Sequence, residues 1–307
     1  MSSRLSSNNA TRNLVNYTPL RYPGGKGKLV KYVKSLIKDN NLLDGSYVEP
    51  YAGGAAIAFE LLFHHYVDRI YINDLSRPIY AFWNSVLNNT DKLCELVRNV
   101  PLTIDVWDRQ KRCFAAGDFA DELELGFATF FLNRTNRSGI LNGGIIGGRA
   151  QAGQWKIDAR FNKEELIHRI QSIAKLRDRI KLCCLDATEF IKIYLAEWGP
   201  QTLIYLDPPY YKKGRDLYYD YYNHQDHEQI AKIVTQTLHN VNWIVSYDNT
   251  PEIRALYAKS RFRMYGIGYS ARKVGEGSEI MFFSDGLTIG PLVGCVKVPG
   301  DETFAAR

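Results

Sequence analysis

The chain has 307 residues, of which 45% are hydrophobic and 23% are charged, so it can build a large core. This composition suggests one large domain, or a core with an inserted subdomain. The formal net charge of +6 favours a polyanionic partner without requiring one.

The cysteines and histidines argue against two classes of site. The five cysteines are odd in number and include no CxxC pair, and the six histidines form no HExxH motif. We therefore predict neither a disulfide framework nor a metal site, and a reducing compartment. No apolar run is long enough to cross a membrane, and the polar N-terminus lacks the apolar segment of a secretory signal. These features predict a cytoplasmic protein.

The first quarter of the chain has the pattern of a nucleotide-binding sheet. Residues 1–16 are polar and are expected to form a flexible arm. A glycine-rich loop at 21–26 precedes a helical pattern, and a short strand is predicted at 46–51. That strand is followed by a glycine turn, a helix, and a second strand that ends in the acid Asp74. This order is the mononucleotide-binding pattern of a doubly wound α/β sheet.

The next hundred residues are mainly helical in period, with a Gly/Asn-rich break at 138–153. A crossover between parallel strands needs only about a dozen residues. We therefore predict an inserted subdomain at 76–179.

The sheet is predicted to resume after the insert, and its last two strands form a hairpin. The predicted elements are a strand at 179–185, a helix at 187–197, a strand at 202–206, a helix at 226–240, a strand at 242–246, and hairpin strands at 262–269 and 279–284. The main domain would then comprise residues 17–75 and 180–286. Residues 287–307 have no clear period and are expected to form a loose tail.

The most informative motif is Asp207-Pro208-Pro209-Tyr210, which follows a buried apolar strand. A carboxylate is thus expected at the carboxyl edge of the sheet, where open α/β folds bind ligands. The site suits a planar ring that bears an NH2 group. One amino hydrogen can bond Asp207 and the other the Pro208 carbonyl, while the ring stacks on Tyr210. Taken alone, the motif is equally compatible with a strand followed by a proline turn.

Three further acids, Glu49, Asp74 and Asp186, lie at the ends of predicted strands. Acids at such positions can accept hydrogen bonds from ribose hydroxyls or an adenine amino group, although each alone is also a common cap or salt-bridge partner. The turn at Gly53-Gly54 is neither GxGxxG nor a GK[ST] loop, which disfavours a dehydrogenase and a nucleoside triphosphatase.

Five segments together resemble the D12 family, the Dam-like N6-adenine DNA methyltransferases that depend on S-adenosyl-L-methionine. In chain order, these segments are Pro19 to Lys26, Glu49 to Gly54, Phe131 to Arg134, Asp207 to Tyr210, and Ser246 to Asn249. The order is that of the α group, with target recognition inserted before the catalytic motif. The resemblance implies a Rossmann-like class I methyltransferase sheet with a mainly helical inserted target-recognition subdomain.

The resemblance also implies residue roles. The catalytic residues would be Asp207, Pro208, Pro209 and Tyr210, which would hold an adenine flipped out of the duplex. The cofactor would be bound by Tyr22, Gly25, Lys26, Glu49, Pro50, Tyr51, Gly53, Gly54, Asp74, Asp186 and Ala187. Within this set, Lys26 would meet the cofactor carboxylate, Glu49 and the glycine turn the methionine part, Asp74 the ribose, and Asp186 the adenine.

Basic residues of the insert, and those just after the catalytic turn, are expected to bind DNA. The predicted DNA-binding residues are Asn133, Arg134, Arg137, Asn142, Arg149 and Lys212. The segment 135–144 is longer and richer in glycine than its Dam counterpart, so no recognition sequence is transferred.

The favoured hypothesis is therefore a site-specific adenine-N6 methyltransferase acting on double-stranded DNA. Two alternatives stay open: a methyltransferase acting on an NH2 group of RNA or protein, and a DNA-binding relative that has lost catalysis. The family further suggests a prokaryotic or phage origin, a cognate restriction endonuclease as a partner, and a monomer or weak dimer.

Overall fold

The computed structural model describes residues 17–21, 26–212, 222–266 and 279–293. Within these ranges the chain forms one seven-stranded sheet, in the order β3-β2-β1-β4-β5-β7-β6. The strands are β1 (Gly45–Glu49), β2 (Val67–Asn73), β3 (Ile180–Cys183), β4 (Thr202–Leu206), β5 (Asn242–Asp248), β6 (Arg261–Tyr265) and β7 (Glu279–Phe283). Strands β1 to β5 are parallel, and β7 runs antiparallel between β5 and β6.

Helices cover both faces of this sheet. They are α1 (Val30–Asp39), α2 (Ala56–Phe63), α3 (Arg77–Asn88), α4 (Thr90–Asn99), α5 (Ile104–Ala116), α6 (Glu122–Thr135), α7 (Lys163–Ala174), α8 (Ala187–Tyr194), α9 (His224–Gln236) and α10 (Pro251–Leu256). Polar side chains cap several of them; Asn223 and Asp226, for example, form a reciprocal capping box at the start of α9. The predicted doubly wound, Rossmann-like α/β fold is confirmed.

The alternation of β4 shows why the sheet has two covered faces. Leu203 and Tyr205 point into a core shared with α1 and α2, whereas Ile204 and Leu206 point into a second core with α8, α9 and α10. Such a strand is buried on both sides and therefore reads as a continuous apolar run.

The helices α3 to α7 lie between β2 and β3 in the chain. Phe82 of α3 stacks on Phe130 of α6 with ring centroids 5.5 Å apart, and Trp83 packs 4.9 Å from Phe59 of α2. These helices therefore share a continuous core with one face of the sheet.

The expectation of a loose tail is wrong for residues 287–293. Leu287 and Leu292 are buried, and Asn40 bonds both the backbone N–H and the carbonyl of Thr288. Isolated leucines that close the edge of a core leave no periodic signal, so the sequence pattern missed them. The predicted arm at 1–16 and the rest of the tail lie outside the described residues. No helix in the described part of the chain is both long and apolar enough to span a membrane.

Candidate active site

The carboxylate of Asp207 is held at the end of β4 by the neighbouring strand. Ser246 Oγ of β5 donates to Asp207 Oδ1 at 2.8 Å, and the hydroxyl of Tyr205 lies 2.8 Å from the same Ser246 oxygen. The Asp207 side chain is 21% exposed, so it is largely buried yet open on one side. This arrangement orients an acceptor at the carboxyl edge of the sheet.

Lys26 lies directly against the proline turn at Asp207 to Tyr210. Its Nζ donates to Glu279 Oε2 at 2.8 Å and to the Tyr210 hydroxyl at 2.5 Å, and it lies 3.3 Å from Asp207 Oδ1. The same ammonium sits 4.9 Å from the centre of the Tyr210 ring. The structure therefore brings Lys26 together with Asp207 and Tyr210, and it adds a carboxylate that sequence reasoning missed.

Glu279 reaches this edge because β7 runs antiparallel to β5. Its partner in the register is Asp248, the last residue of β5. An acid at the first position of a buried strand was the available signal, but it becomes informative only once the direction of that strand in the sheet is known.

Among the described residues the charges at this turn do not cancel, because the carboxylates of Asp207 and Glu279 face the ammonium of Lys26. Burial raises the pKa of Asp207, although Lys26 opposes the shift. Burial alone would lower the pKa of Lys26, but Asp207 and Glu279 outweigh it and the pKa is raised. Burial would likewise raise the pKa of Glu279, but Lys26 outweighs it and the pKa is lowered. The pocket therefore favours one additional positive charge.

The predicted glycine turn joins β1 to α2 and is fixed by two side chains. Asp74 Oδ2 accepts a bond from the N–H of Gly53 at 2.7 Å, and Trp83 Nε1 donates to the Gly53 carbonyl at 2.9 Å. Gly53 has a φ of +48°, in the left-handed region that favours glycine. Asp74, predicted to bind ribose, thus also shapes the turn.

Asn73 ties three strand ends together and was missed from the sequence. Its Nδ2 donates to the carbonyls of Pro50 and Leu185 at 3.0 and 2.9 Å, and its Oδ1 accepts from the N–H of Leu185 at 2.9 Å. A polar residue directly after the apolar run Ile70-Tyr71-Ile72 was the signal. Asn73 fixes the edge on which the predicted cofactor residues lie.

Three more of the predicted cofactor residues, Glu49, Asp186 and Ala187, lie near the same edge of the sheet. Glu49 is buried at the end of β1, and burial raises its pKa to about 8, with a smaller contribution from the charge of Asp207. Asp186 caps α8, accepting the N–H groups of Thr188 and Glu189 on Oδ1, and buried Ala187 is the first residue of that helix. Tyr22 and Gly25 lie outside the described residues.

Two tyrosines lie across this edge. The hydroxyls of Tyr51 and Tyr222 are 2.9 Å apart. Burial is the main cause that raises the pKa of Tyr222 to about 12, and the nearby charges of Asp186 and Asp74 contribute. Tyr222 therefore lies near both acids, at the edge of the sheet that carries the predicted cofactor residues.

Asp248 fixes the backbone that follows the proline turn at Asp207 to Tyr210. Its two carboxylate oxygens accept the backbone N–H groups of Tyr211 and Lys212 at 2.8 and 3.0 Å. The side chain of Lys212 is exposed, as a DNA contact requires.

The expectation that Asn133 contacts DNA needs correction, because its side chain is 1% exposed and fully engaged. Its amide bonds the N–H and the carbonyl of Arg21, each at 2.7 Å, and the carbonyl of Gly139 at 3.0 Å. A buried amide with these partners holds the backbone together. Asn133 thus joins α6 to the segment that precedes Lys26.

The other predicted DNA-binding residues lie in or near the Gly/Asn-rich loop. Arg137 and Asn142 are exposed, and Arg149 is exposed but forms a two-point ion pair with Asp108, both bonds being 2.8 Å. Arg134 is partly buried and donates from Nε to the Arg160 carbonyl at 2.8 Å.

Comparison with known proteins decides the family. The model of the D12 class N6 adenine-specific DNA methyltransferases matches residues 22–270. The chain belongs to this family. The resemblance in the sequence motifs is thereby confirmed, and with it adenine-specific methylation of DNA as the activity.

One curated protein and two solved structures resemble this chain to different degrees. The type II methyltransferase M.MjaIII of Methanocaldococcus jannaschii is 23% identical over 278 residues, which cover 80% of this D12 methyltransferase and 93% of that protein. The solved rRNA methyltransferase aviRa from Streptomyces viridochromogenes covers 88% of this chain and 90% of its own, at 14% identity and a TM-score of 0.33. Protein LPL1258 from Legionella pneumophila covers 85% and 86%, at 10% identity and a TM-score of 0.30. Both structural likenesses are too low to support a functional argument.

Proposed function

We propose that this D12 methyltransferase transfers a methyl group from S-adenosyl-L-methionine to N6 of an adenine flipped out of double-stranded DNA. The observation that supports it most is the largely buried carboxylate of Asp207, oriented by Ser246 and followed by two prolines and Tyr210. The edge of the sheet next to this turn carries the residues predicted to bind the cofactor.

The residues present fit S-adenosyl-L-methionine. Its sulfonium is a cation, and among the described residues of the site the two negative charges of Asp207 and Glu279 exceed the positive charge of Lys26. Asp74 follows β2 and accepts the N–H of Gly53, and Asp186 caps α8 after the neighbouring strand β3; these positions suit binding of ribose and adenine. When bound, the cofactor supplies an electrophilic methyl group.

The chain's own residues then act on the amino group of the target. The Asp207 carboxylate accepts one N6 hydrogen and the Pro208 carbonyl the other, which moves electron density onto nitrogen and stabilises its developing positive charge. A carboxylate with a raised pKa is also a stronger base, so Asp207 can take the proton that N6 must lose. Tyr210 offers its ring to the base.

Lys26 competes with the target for Asp207. Its Nζ is 3.3 Å from Asp207 Oδ1 but 2.8 Å from Glu279 Oε2. We infer that Glu279 holds the ammonium aside, so that the Asp207 oxygen can accept the amino group.

DNA recognition is assigned to the insert at 76–179, and catalysis to residues 17–75 and 180–286. Arg134, Arg137, Asn142, Arg149 and Lys212 are the proposed DNA contacts, and all are exposed or partly exposed. The bonds between Asn133 and Arg21 connect this insert to the segment before Lys26. We also propose that the enzyme methylates a specific DNA sequence, which the name of the type II relative supports. A cognate restriction endonuclease stays a prediction.

Parallel assays with S-adenosyl-L-methionine carrying a labelled methyl group test the substrate class. Unmethylated duplex DNA, the same sequence as duplex RNA, and a mixture of unmodified proteins are offered at equal mass. We expect label in DNA alone. Label in RNA or protein would contradict the proposal, and no label despite measured cofactor binding would indicate a relative that has lost catalysis.

A further inference from the structure

The end of β5 continues past its last pairing with β4 and lies beside the proline turn at Asp207 to Tyr210. The two strands pair as far as Leu206 and Val245, and β5 then runs on to Asp248. The two prolines of the turn carry no backbone N–H group, so the ladder of strand hydrogen bonds cannot continue through them. The turn therefore needs other contacts to keep one conformation.

Asp248 supplies two of these contacts. Its Oδ1 accepts the backbone N–H of Tyr211 at 2.8 Å, and its Oδ2 accepts that of Lys212 at 3.0 Å. Asp248 is buried, with 8% of its surface exposed. Hydrogen bonds to an ionised acceptor are roughly twice as strong as those between neutral groups. Both carboxylate oxygens thus hold the two residues that directly follow the turn.

The first of these bonds also acts on Tyr210. The N–H of Tyr211 and the carbonyl of Tyr210 belong to one planar peptide group. Asp248 therefore fixes the plane of that group, and with it the backbone dihedral ψ of Tyr210. Because the backbone limits the rotamers that a side chain can adopt, a fixed ψ favours one direction of the Tyr210 ring.

Contacts from other elements hold the same two tyrosines. The hydroxyl of Tyr210 accepts a bond from Lys26 at 2.5 Å. The ring of Tyr211 lies 5.1 Å from that of buried His227, and its hydroxyl is 3.0 Å from Nδ1 of His224. Both histidines belong to α9, so this helix holds the Tyr211 side chain while β5 holds its N–H. The end of the turn is therefore fixed before a substrate binds.

We propose that Asp248 is a positioning residue for methyl transfer, which holds the ring of Tyr210 in the orientation that stacks on the target base. This role rests on the proposed function, since it takes the flipped adenine as the group on which Tyr210 stacks. Asp248 acts through the backbone and does not need to touch the substrate. Its loss should therefore slow the reaction without weakening cofactor binding.

Amide hydrogen exchange tests whether Asp248 holds the turn. Asp248→Asn keeps the shape of the side chain but replaces one acceptor oxygen with an NH2 group, which cannot accept an N–H. Asp121→Asn is the matched control, because Asp121 also accepts two backbone N–H groups, at the start of α6. Exchange of peptides that cover residues 207–212 is followed by mass spectrometry without cofactor or substrate. We expect faster exchange in Asp248→Asn and no change there in Asp121→Asn. Unchanged exchange in Asp248→Asn would overturn the role.

Single-turnover methyl transfer tests whether the held turn matters for the reaction. A misplacement of about 1 Å can cost about 100-fold in rate, so Asp248→Asn, which keeps one of two bonds, should cost about tenfold. We expect the cofactor Kd of Asp248→Asn and the rate of Asp121→Asn to equal those of the wild type. In a Tyr210→Ala background, Asp248→Asn should lower the rate less than about twofold, because the ring that it positions is absent. An equal loss in both backgrounds would show a general weakening of the fold and overturn the role, and so would a wild-type rate in Asp248→Asn.

The outcomes also separate this role from the proposed function. The rates are measured on whichever of DNA, RNA or protein takes label from the wild type. Label in RNA or protein would contradict the proposed function, and Asp248 is then tested on that substrate. If the wild type labels nothing, the proposed function fails, whereas faster exchange would still support the hold of Asp248 on the turn and unchanged exchange would still overturn it.

Discussion

Replacing Asp207 with asparagine separates the role of this carboxylate in catalysis from its role in the fold. The amide would keep the shape of the side chain and one carbonyl oxygen, but it would lose the charge that stabilises a developing cation on N6. Loss of one preorganised polar group of this kind typically costs about 3 to 4 kcal/mol of transition-state stabilisation. We therefore expect Asp207→Asn to lower the rate of methyl transfer by about 10²- to 10³-fold.

We expect Asp207→Asn to raise the stability of the fold or to leave it unchanged, although it slows methyl transfer. Burial raises the pKa of Asp207, so the charged form is destabilised in the fold. In Asp207→Asn, Lys26 keeps its 2.8 Å bond to Glu279, and the pocket then holds one cation and one anion. We expect a melting temperature no lower than that of the wild type.

The assay is single-turnover methyl transfer at saturating DNA and cofactor, with thermal unfolding of the same samples. Asp44→Asn is the matched control, because Asp44 is exposed and its φ of +60° is one that asparagine also adopts. Ser246→Ala, which removes the 2.8 Å bond to Asp207, should give an intermediate loss of about tenfold. A single-turnover rate for Asp207→Asn within a few-fold of the wild type would refute the mechanism.

Three other predictions concern the surroundings of this group. Glu279→Gln should slow methyl transfer by about tenfold, because Lys26 would lose its 2.8 Å charged partner and pair with the catalytic carboxylate; a pre-steady-state rate equal to that of the wild type would remove Glu279 from the mechanism. Glu49 keeps its proton up to about pH 8 in the fold but releases it near 4.5 when unfolded, so the wild type loses stability as the pH rises from 4.5 to 8. Glu49→Gln should abolish this loss, and melting curves in which the difference between the two proteins is constant with pH would contradict the assignment. Arg137→Gln should reduce the salt dependence of DNA binding more than Arg149→Gln, because Asp108 already neutralises Arg149; equal slopes in anisotropy titrations would show that the ion pair opens on DNA.

Short sequence patterns were sufficient to predict the strands and turns whose residues follow a simple rule of burial or backbone conformation. The strand at 202–206 is buried on both faces, so a continuous apolar run marked it, and the acid and prolines that follow marked the edge of the sheet. The same holds for β1 and its glycine turn, whose left-handed Gly53 explains why glycine stands there. The family motifs lie on these elements.

The features that the sequence did not predict depend on contacts between residues that are distant in the sequence. Glu279 and Lys26 are separated by 253 positions, and their contact requires the antiparallel insertion of β7 beside β5. Asn133 was expected to contact DNA because its motif resembles a DNA-contacting one. Its amide instead forms hydrogen bonds with the backbone of Arg21, which is 112 positions away in the sequence. Neither contact leaves a periodic signal, since each follows from how the chain packs in three dimensions.

The most direct test of the central claim is the chemical identity of the product. Unmethylated duplex DNA is incubated with the enzyme and S-adenosyl-L-methionine carrying a labelled methyl group, digested to nucleosides, and separated by chromatography with mass detection; Asp207→Ala serves as the inactive control. We expect label in N6-methyladenine with the wild type and none with the variant. Label in N4-methylcytosine, or equal label from Asp207→Ala, would contradict the central claim.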